Sequence, residues 1–217
     1  MDIVQDLISN LRAYDESRER SLQVELGASS LGGCRRQAWH IIKGTPRTNH
    51  NTDFLAALFG TAMHAIIADS FTRADIFGDR YLVEKEFRSP EILCHADLVT
   101  QGEKHLTDWK TNTLKAMAKF PTTQQKWQAN VNAYCAKNEG IEIETVSLVA
   151  IPRDGSIWDI EKWEEPFNQN YVDEALAWKE DVESREEPPA PERPAYVYCR
   201  KFCKFYDKTG EIGCQGR

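Results

Sequence analysis

The fold of this chain is decided by one stretch, His95-Ala-Asp97-Leu-Val-Thr-Gln-Gly-Glu-Lys-His-Leu-Thr-Asp108-Trp-Lys110. A turn at Gln101-Gly102 separates two strand-like segments, Leu93 to Thr100 and Lys104 to Lys110. Because successive side chains of a strand point to opposite faces, Asp108 and Lys110 share a face. The stretch therefore predicts two neighbouring strands that carry two carboxylates and an ammonium.

A long apolar helix is predicted upstream of this stretch. Asp53 is a suitable N-cap for a helix from Phe54 to Thr72, which contains the motif Gly60-Thr-Ala-Met-His64. Apolar residues occur all around this helix, so we expect most of its surface to be buried. The helix would bring one imidazole, that of His64, toward the sheet.

The remaining pattern predicts an α/β fold with a mixed central sheet flanked by helices. A strand is expected at Tyr81 to Arg88, before the deciding stretch, and a helix from Thr122 or Thr123 to about Asn138 follows it, with Gly140 as the stop. The other predicted elements are helices at residues 2–14, Cys34 to Ile42 and Glu165 to Ser184, and strands at Thr145 to Ile151 and Ser156 to Ile160. Ser29-Ser30 is a possible helix cap.

The polar residues of these elements suit the hydrolysis of a phosphodiester. An imidazole and two carboxylates, from His64, Asp97 and Asp108, can hold a divalent ion that activates water, while Lys110 positions or polarises the nucleophile. Each residue alone has a simpler explanation, such as helix packing for the histidine or chance for Asp-x-Lys. Glu84 and Glu86 could approach the ion from the first strand, but we expect them to be solvated strand residues. The combination, in this order, favours a metal-dependent nuclease site.

This order of elements and motifs resembles the core of the PD-(D/E)XK nuclease superfamily, and within it the RecB-like branch. The resemblance rests on four motifs: Gly60-x-x-x-His64, His95-Ala-Asp97-Leu-Val, Asp108-x-Lys110 and Tyr134. It implies a DNA-cleaving enzyme that uses magnesium or manganese. It also implies that His64, Asp97, Asp108 and the carbonyl of Trp109 bind the metal, that Lys110 serves the attacking water, and that Tyr134 belongs to the catalytic set.

Two positions depart from the family pattern. Cys94 stands where the family usually has glycine, three residues before the strand aspartate. Asn130 stands where the family has glutamine, four residues before Tyr134, and Gln128 is an alternative source of that amide. Either amide can make hydrogen bonds to a phosphate or to the lysine, so both remain candidates.

Four of the six cysteines form a second candidate site. The tail carries Cys199-x3-Cys203-x10-Cys214, and Cys34 lies far upstream. Four thiolates suit either a tetrahedral zinc or a 4Fe-4S cluster. The arrangement is similar to the iron–sulfur staple of the CRISPR-associated RecB-like exonucleases and of AddB-type nucleases, which favours a cluster that joins the N-terminal helices to the tail. Zinc and four free thiols are the alternatives, whereas Cys94 and Cys135 are expected to be buried small side chains.

Charge and apolar content bear on location and partners. The net charge is -7, but basic residues concentrate around the cysteines, for example between Cys34 and Arg47, and acidic residues between Glu161 and Glu187. The start of the chain has no signal-peptide pattern, and the longest apolar stretch, Phe54 to Ala68, is too short to span a bilayer. We therefore expect a cytoplasmic protein with reduced thiols that binds DNA and no membrane.

The length of 217 residues suggests one nuclease domain. Its expected parts are an N-terminal helical part at 1–52 with one cluster cysteine, a core at 53–184, and a Pro-rich linker and cluster-binding tail at 185–217. The resemblance implies an exonuclease that acts on single-stranded DNA ends, in viral or microbial replication or recombination or in CRISPR adaptation, with proteins of those processes as partners. The alternatives are an inactive DNA-binding or assembly module and a zinc-stapled endonuclease.

Overall fold

The structure is a computed structural model that describes residues 2–17, 25–191 and 196–216. A five-stranded mixed sheet with the order β1-β2-β3-β4-β5 lies at its centre. The strands are β1 (Tyr81–Arg88), β2 (Leu93–Thr100), β3 (His105–Asn112), β4 (Thr145–Pro152) and β5 (Glu161–Pro166). Only β3 and β4 pair in parallel, while the other neighbours are antiparallel. The predicted fold class, a mixed sheet flanked by helices, is confirmed.

The helices are α1 (Ile3–Ser17), α2 (Arg35–Ile42), α3 (Leu55–Ala74), α4 (Leu114–Met117), α5 (Thr123–Asn138), α6 (Gln169–Glu183) and α7 (Tyr196–Phe202). Two of them, α4 and α5, make the crossover that a parallel pair of strands requires. Thr122 and Gln125 form a capping box that fixes the start of α5, and Gly140 ends it with a φ of 84°. Seven residues of α5 are buried, so this helix forms much of the core beside the sheet.

The chain divides into two compact units. The sheet unit consists of Gly27–Gly33 and Phe59–Asp181, and the cysteine unit consists of Met1–Leu26, Cys34–Leu58 and Val182–Arg217. The five strands belong to the first unit, and all four cysteines of the predicted staple belong to the second. The predicted division into parts at 1–52, 53–184 and 185–217 stays a prediction, and residues 192–195 of its Pro-rich linker lie outside the described residues.

The structure corrects the expectation that α3 is buried over most of its surface. No residue of α3 is fully buried, and Phe59 and Ile66 are exposed. One side of the helix packs on the sheet, where the ring of Phe71 stacks on Trp109 with centroids 5.7 Å apart. Apolar residues on the other side face outward because the described part of the chain places no layer over them.

Three local expectations near the other helices and strands were also wrong. Ser156 to Ile160 is not a strand, because Ser156 caps a 3-10 turn at Ile157–Asp159. The charged segment Glu161–Pro166 is the strand instead, since it pairs with β4, and α6 therefore begins at Gln169. Similarly, the two serines at 29 and 30 lie in a 3-10 turn, and Cys34 is the N-cap of α2.

By length and composition alone, α3 could cross a membrane, since its 20 residues have a mean hydropathy of 1.3 over the best window. Helices that pack on a sheet pass the same test. None of the window is buried, although Phe71 contacts β3. The expectation that this apolar segment is too short to span a bilayer was therefore wrong as to length, because the helix continues past Ala68 to Ala74.

Candidate metal-binding and active site

The site lies in a fork between β2 and β3. The ladder between these strands ends at the pair Leu98 and Thr107, so the next facing positions, Asp97 and Asp108, stand where the strands separate. There the side chain of Asp97 replaces a strand partner, because its Oδ2 accepts a hydrogen bond of 2.7 Å from the Trp109 amide. Both aspartates of the deciding stretch therefore lie at the root of the fork.

His64 reaches the fork from α3. Its Nδ1 is 3.3 Å from Asp97 Oδ1. The helix approaches β3 closely at Gly60, where an added Cβ would lie 3.2 Å from Thr111 Oγ1. Glycine at this position therefore permits the approach that brings the imidazole, one turn further along, to the carboxylate.

Glu84, which we expected to be a solvated strand residue, has a side chain that is 45% exposed, and it still adds a third carboxylate to the site. It lies across from Asp97, because Val83 pairs with Leu98 and Lys85 with Ala96. Glu84 Oε1 is 3.9 Å from His64 Nδ1, and His64, Glu84 and Asp97 each offer one atom within 4.8 Å of the others. The signal that could have found Glu84 is the register of the β1–β2 hairpin.

The backbone of Glu84 is strained. Its φ is 48°, in the left-handed region, although it is a non-glycine residue inside a strand. Such conformations cost about 1–3 kcal/mol and persist where the surroundings enforce them. The strain coincides with the position at which the carboxylate faces His64 and Asp97.

Asp108 is fully buried on β3 and is the most perturbed carboxyl of the site. Burial raises its pKa to about 6, although the neighbouring ammonium of Lys110, which contacts its Oδ1, favours the charged form. Its Oδ2 accepts a 3.4 Å hydrogen bond from Asn132 Nδ2 of α5. Asn132 is also fully buried, and its own carbonyl oxygen has no hydrogen-bond partner among the described residues. Asn132 is not predictable from the sequence, since a single asparagine in a helix carries no pattern.

Lys110 is held between β3 and α5. Its Nζ donates a 2.7 Å hydrogen bond to Gln128 Oε1 and contacts Asp108. Asn130 makes other contacts, because its Nδ2 donates to the Lys126 carbonyl and its Oδ1 accepts from the Asn168 amide. The amide beside the lysine is therefore that of Gln128.

Tyr134 makes its side-chain hydrogen bond away from the fork, whereas Trp109 contacts Asp97 within it. The Tyr134 hydroxyl donates to Glu91 Oε2 at 3.2 Å, and none of its hydrogen bonds among residues 25–191 reaches the fork. The structure thus does not join Tyr134 to the other predicted catalytic residues. Trp109 contributes its amide to Asp97 and its ring to α3, while metal binding by its carbonyl stays a prediction.

The electrostatics of the fork favour a bound cation. The hydrogen bond to Asp97 raises the pKa of His64, and burial followed by the charge of Asp97 raises the pKa of Glu84. The carboxylates of Glu84, Asp97 and Asp108 thus lie close together. Among the described residues, the ammonium that contacts one of them is that of Lys110. Imidazole nitrogen and carboxylate oxygens suit a divalent ion such as Mn²⁺ or Mg²⁺, so the donor set fits.

The four cysteines of the predicted staple converge within the cysteine unit. Burial, and after it the neighbouring thiol groups of the set, raises the pKa of Cys203 to about 11 and also raises that of Cys199. Cys34 caps α2, and Cys214 is positioned by a 2.8 Å backbone hydrogen bond to the Phe205 carbonyl.

The surroundings of these thiols form a close-fitting cradle. The amide of Gly216 donates to Cys214 Sγ at 3.3 Å, and a Cβ on this glycine would lie 3.0 Å from the Cys199 Cβ. Arg36 Nη1 also lies 3.9 Å from Cys214 Sγ. Asn49 fixes the tail by donating to the carbonyls of Arg200 and Cys203. The Gly216 amide and the Arg36 guanidinium thus both supply N–H donors to the sulfur of Cys214. Donors of this kind stabilise a cysteine thiolate that binds a metal.

Cys94 and Cys135 are separate from this set. Both are buried in the sheet unit, with their sulfurs 2.8 Å apart, as a hydrogen-bonded pair of free thiols. The expectation that they are buried small side chains is confirmed.

Similarity to known proteins is found at the level of structure. Neither the protein-family models nor the curated protein sequences give a match. The solved structure of SSO0001 superposes with a TM-score of 0.57 at 13% identity, covering 99% of this chain and 98% of that one. The alkaline exonuclease LHK-Exo from Laribacter hongkongensis superposes with a TM-score of 0.50 at 14% identity, covering 75% of this chain and 89% of that one. Its complex with dAMP gives 0.51 at 13% identity with the same coverage. At such identities the comparison shows a shared fold.

Proposed function

We propose that this chain is a Mg²⁺- or Mn²⁺-dependent deoxyribonuclease of the PD-(D/E)XK type that degrades DNA from its ends. The observation that carries the proposal is the convergence of His64, Asp97, Asp108 and Lys110 in the fork between β2 and β3. The fold shared with an alkaline exonuclease, which has also been solved with dAMP, supports the same conclusion.

The donor set divides into ligands and one positioning cation. His64, Asp97 and Asp108, together with the Trp109 carbonyl, would hold the ion, and Glu84 adds a further carboxylate at the same place. When bound, a divalent ion acts as a Lewis acid on the phosphate and lowers the pKa of water. These residues therefore define where the scissile phosphate must lie.

Lys110 supplies a fixed positive charge beside the proposed metal site. Its ammonium is held by Gln128 and Asp108, so it points into the fork with two of its three donors directed. The remaining N–H can bind the attacking water or a phosphate oxygen and offset the charge that develops there. Asn132 steadies the Asp108 carboxylate by a hydrogen bond from the opposite side.

The substrate and setting are proposed from the resemblance to RecB-like exonucleases. The enzyme acts on single-stranded DNA ends in the cytoplasm, in DNA replication, recombination or CRISPR adaptation, with proteins of those processes as partners.

Digestion of labelled DNA tests the activity. Single strands labelled at the 5′ or 3′ end, and a circular single strand, are incubated with Mn²⁺ or with EDTA. We expect Mn²⁺-dependent loss of the linear strands and survival of the circle, and Asp108→Ala or Lys110→Ala should abolish it. Glu86→Ala, on the exposed part of β1, is the matched control.

Each other outcome has a defined meaning. Full activity of Asp108→Ala contradicts the assigned site. Cleavage of the circle indicates an endonuclease, and binding without cleavage by the wild type indicates a DNA-binding module.

The cysteine cradle is proposed to hold a 4Fe-4S cluster rather than zinc. Around tetrahedral zinc, with Zn–S bonds of about 2.3 Å, sulfurs stand about 3.8 Å apart. Among the described residues, however, the only group of three or more potential ligand atoms within 4.8 Å is the one at His64, Glu84 and Asp97. No three cysteine sulfurs of the described residues lie that close together, which favours a group larger than a single zinc ion. Iron and acid-labile sulfide assays after anaerobic purification test this, and stoichiometric zinc without iron would contradict it.

A further inference from the structure

The β4–β5 hairpin ends in an exposed apolar tip. Trp158 is 88% exposed and Ile157 is 72% exposed, on the 3-10 turn between the two strands. Burying such side chains is favourable, and an exposed tryptophan on a turn lacks that gain unless a ligand covers it.

The tip is rigid rather than loosely extended. Ser156 accepts a hydrogen bond from the Trp158 amide, and Asp159 Oδ2 accepts from both the amide and the hydroxyl of Ser156. Gly155 is packed so closely that an added Cβ would lie 2.9 Å from Pro152. A fixed turn presents the indole with little loss of conformational entropy on binding.

The tip lies at the end of the sheet toward which the fork opens. Ala150 of β4 pairs with Lys110, so Arg153 begins the tip three residues beyond the lysine, a distance of about 10 Å along a strand. The Arg153 amide donates to the Asn112 carbonyl, and the Leu114 amide donates to Asp154 Oδ1. These bonds tie the tip to the end of β3 and to the start of α4.

The charges of this end suit a phosphate backbone. Exposed cations lie at the start of the tip, on α4 and just after α4, at Arg153, Lys115 and Lys119 respectively. Asp154 and Asp159 of the tip accept hydrogen bonds from the Leu114 amide and from Ser156 and remain charged, so the phosphates of a bound strand would meet the exposed cations rather than the turn itself. Cations beside a rigid exposed aromatic ring are the arrangement that binds single strands, in which the bases stack and the phosphates meet the cations.

We propose that Trp158 is a base-stacking platform that holds single-stranded DNA at the end of the sheet toward which the fork opens. This inference rests on the proposed function. It adds where the single-stranded DNA is held outside the catalytic residues. Unpaired bases are preferred, because every base inside a duplex is stacked on both faces and a blunt end exposes only the outer face of its terminal pair. Trp158 is therefore a positioning residue, and it determines preference for single strands over blunt duplexes.

Binding measured by fluorescence anisotropy tests the proposal. A labelled 20-nucleotide single strand and a blunt duplex of the same sequence are titrated with protein in EDTA, where cleavage cannot occur. We expect Trp158→Ala to weaken single-strand binding about tenfold, the usual worth of one stacked base, and to leave duplex binding unchanged. Trp158→Phe should restore part of the loss.

Phe77 provides a matched control. It is 89% exposed and belongs to the same unit, but it lies before β1, at the end of the sheet where β3 begins. Phe77→Ala should bind both DNAs as the wild type does. Thermal unfolding of each variant verifies that the fold is kept.

The outcomes separate this inference from the proposed function. The proposed role of Trp158 is overturned if Trp158→Ala binds single strands as the wild type does, or if it loses duplex binding equally. It is also overturned if Phe77→Ala shows the same loss, or if the wild type does not bind single strands. A change in sedimentation with unchanged DNA binding also overturns it and assigns the tip to contact between copies of the chain. A wild type that binds through Trp158 but does not cleave with Mn²⁺ refutes only the nuclease.

Discussion

Glu84 combines backbone strain with a carboxylate that faces His64 and Asp97. If it contributes to ion binding, Glu84→Gln removes one negative charge from the donor set and should weaken Mn²⁺ binding by about tenfold or more. Isothermal titration calorimetry measures this directly. Glu86→Gln is the matched control, since Glu86 lies two residues along the same strand and is exposed. Equal Mn²⁺ affinities of Glu84→Gln and the wild type would exclude Glu84 from the site.

Asp108 makes the stability of the metal-free protein depend on pH. Its folded pKa of about 6 lies above the ordinary 3.8, so the folded state binds the proton more tightly than the unfolded state does. The free energy of unfolding should therefore fall as pH rises from about 4 to about 6, by roughly 1–3 kcal/mol from this group. Asp108→Asn should lack this decrease. Urea unfolding in EDTA at pH 4.5 and 7 measures the difference, and parallel pH profiles for the two proteins would contradict it.

Individual residues show how far the sequence predicts the site. Asp97, Asp108 and Lys110 follow from strand alternation and the turn between them, and the amide of Gln128 was kept as a candidate. Glu84 depends on the register of a hairpin, and Asn132 depends on which face of α5 meets β3. Both are consequences of pairing between elements, which a local pattern does not contain.

At the level of elements, Gly60 controls how closely α3 approaches β3. Gly60→Ala should have little effect on the free energy of unfolding, because the helix gains about 1 kcal/mol from alanine while the contact with Thr111 Oγ1 becomes tight. His64, however, moves with the helix, so Mn²⁺ affinity should fall several-fold. Calorimetry and urea unfolding measure the two effects separately.

A second substitution provides the control for this prediction. Thr111→Ala removes the oxygen that the new Cβ meets, so Gly60→Ala with Thr111→Ala should regain most of the affinity. If the single substitution leaves Mn²⁺ binding unchanged, the close approach does not position His64.

The elements themselves were predictable to different degrees. The bounds of β1 and β2 follow from their alternation and turns, and the start of α5 follows from its capping threonine. The predicted helix began too early, at Glu165 inside the strand Glu161–Pro166, because charged residues suit an exposed helix, whereas pairing with β4 decides the conformation of this segment. The burial of α3 was overestimated because the composition of a helix does not show how many of its sides are covered by other elements.

For the whole molecule, the proposed cluster should couple iron content to stability. Cys203→Ser should lose iron and lower the unfolding temperature by about 4–8 °C, if the staple contributes about 2 kcal/mol. Cys94→Ala is the control for a buried cysteine outside the set, and it should keep its iron. Iron analysis and thermal unfolding on the same anaerobic samples measure both. Unchanged iron in Cys203→Ser would show that the ligand set is wrong.

The sheet order was predictable at the scale of the molecule, whereas the division into units was not. A meander followed by a helix and a further strand implies a parallel neighbour for β3, because the connection crosses over. The cysteine unit instead combines three segments that are distant in the sequence. Only the spacing of four cysteines indicated that the distant segments meet.

The nested arrangement of the two units sets an order of events during synthesis. The ribosome synthesises every strand and α5 before the segment Val182–Arg217. The sheet unit is therefore available to fold while the cysteine unit still lacks the last of its three segments. If the cysteine unit holds the proposed cluster, its assembly would then be the final step of maturation. A nascent chain arrested just after Asp181 would carry a complete fork and a solitary, unsatisfied thiol at Cys34.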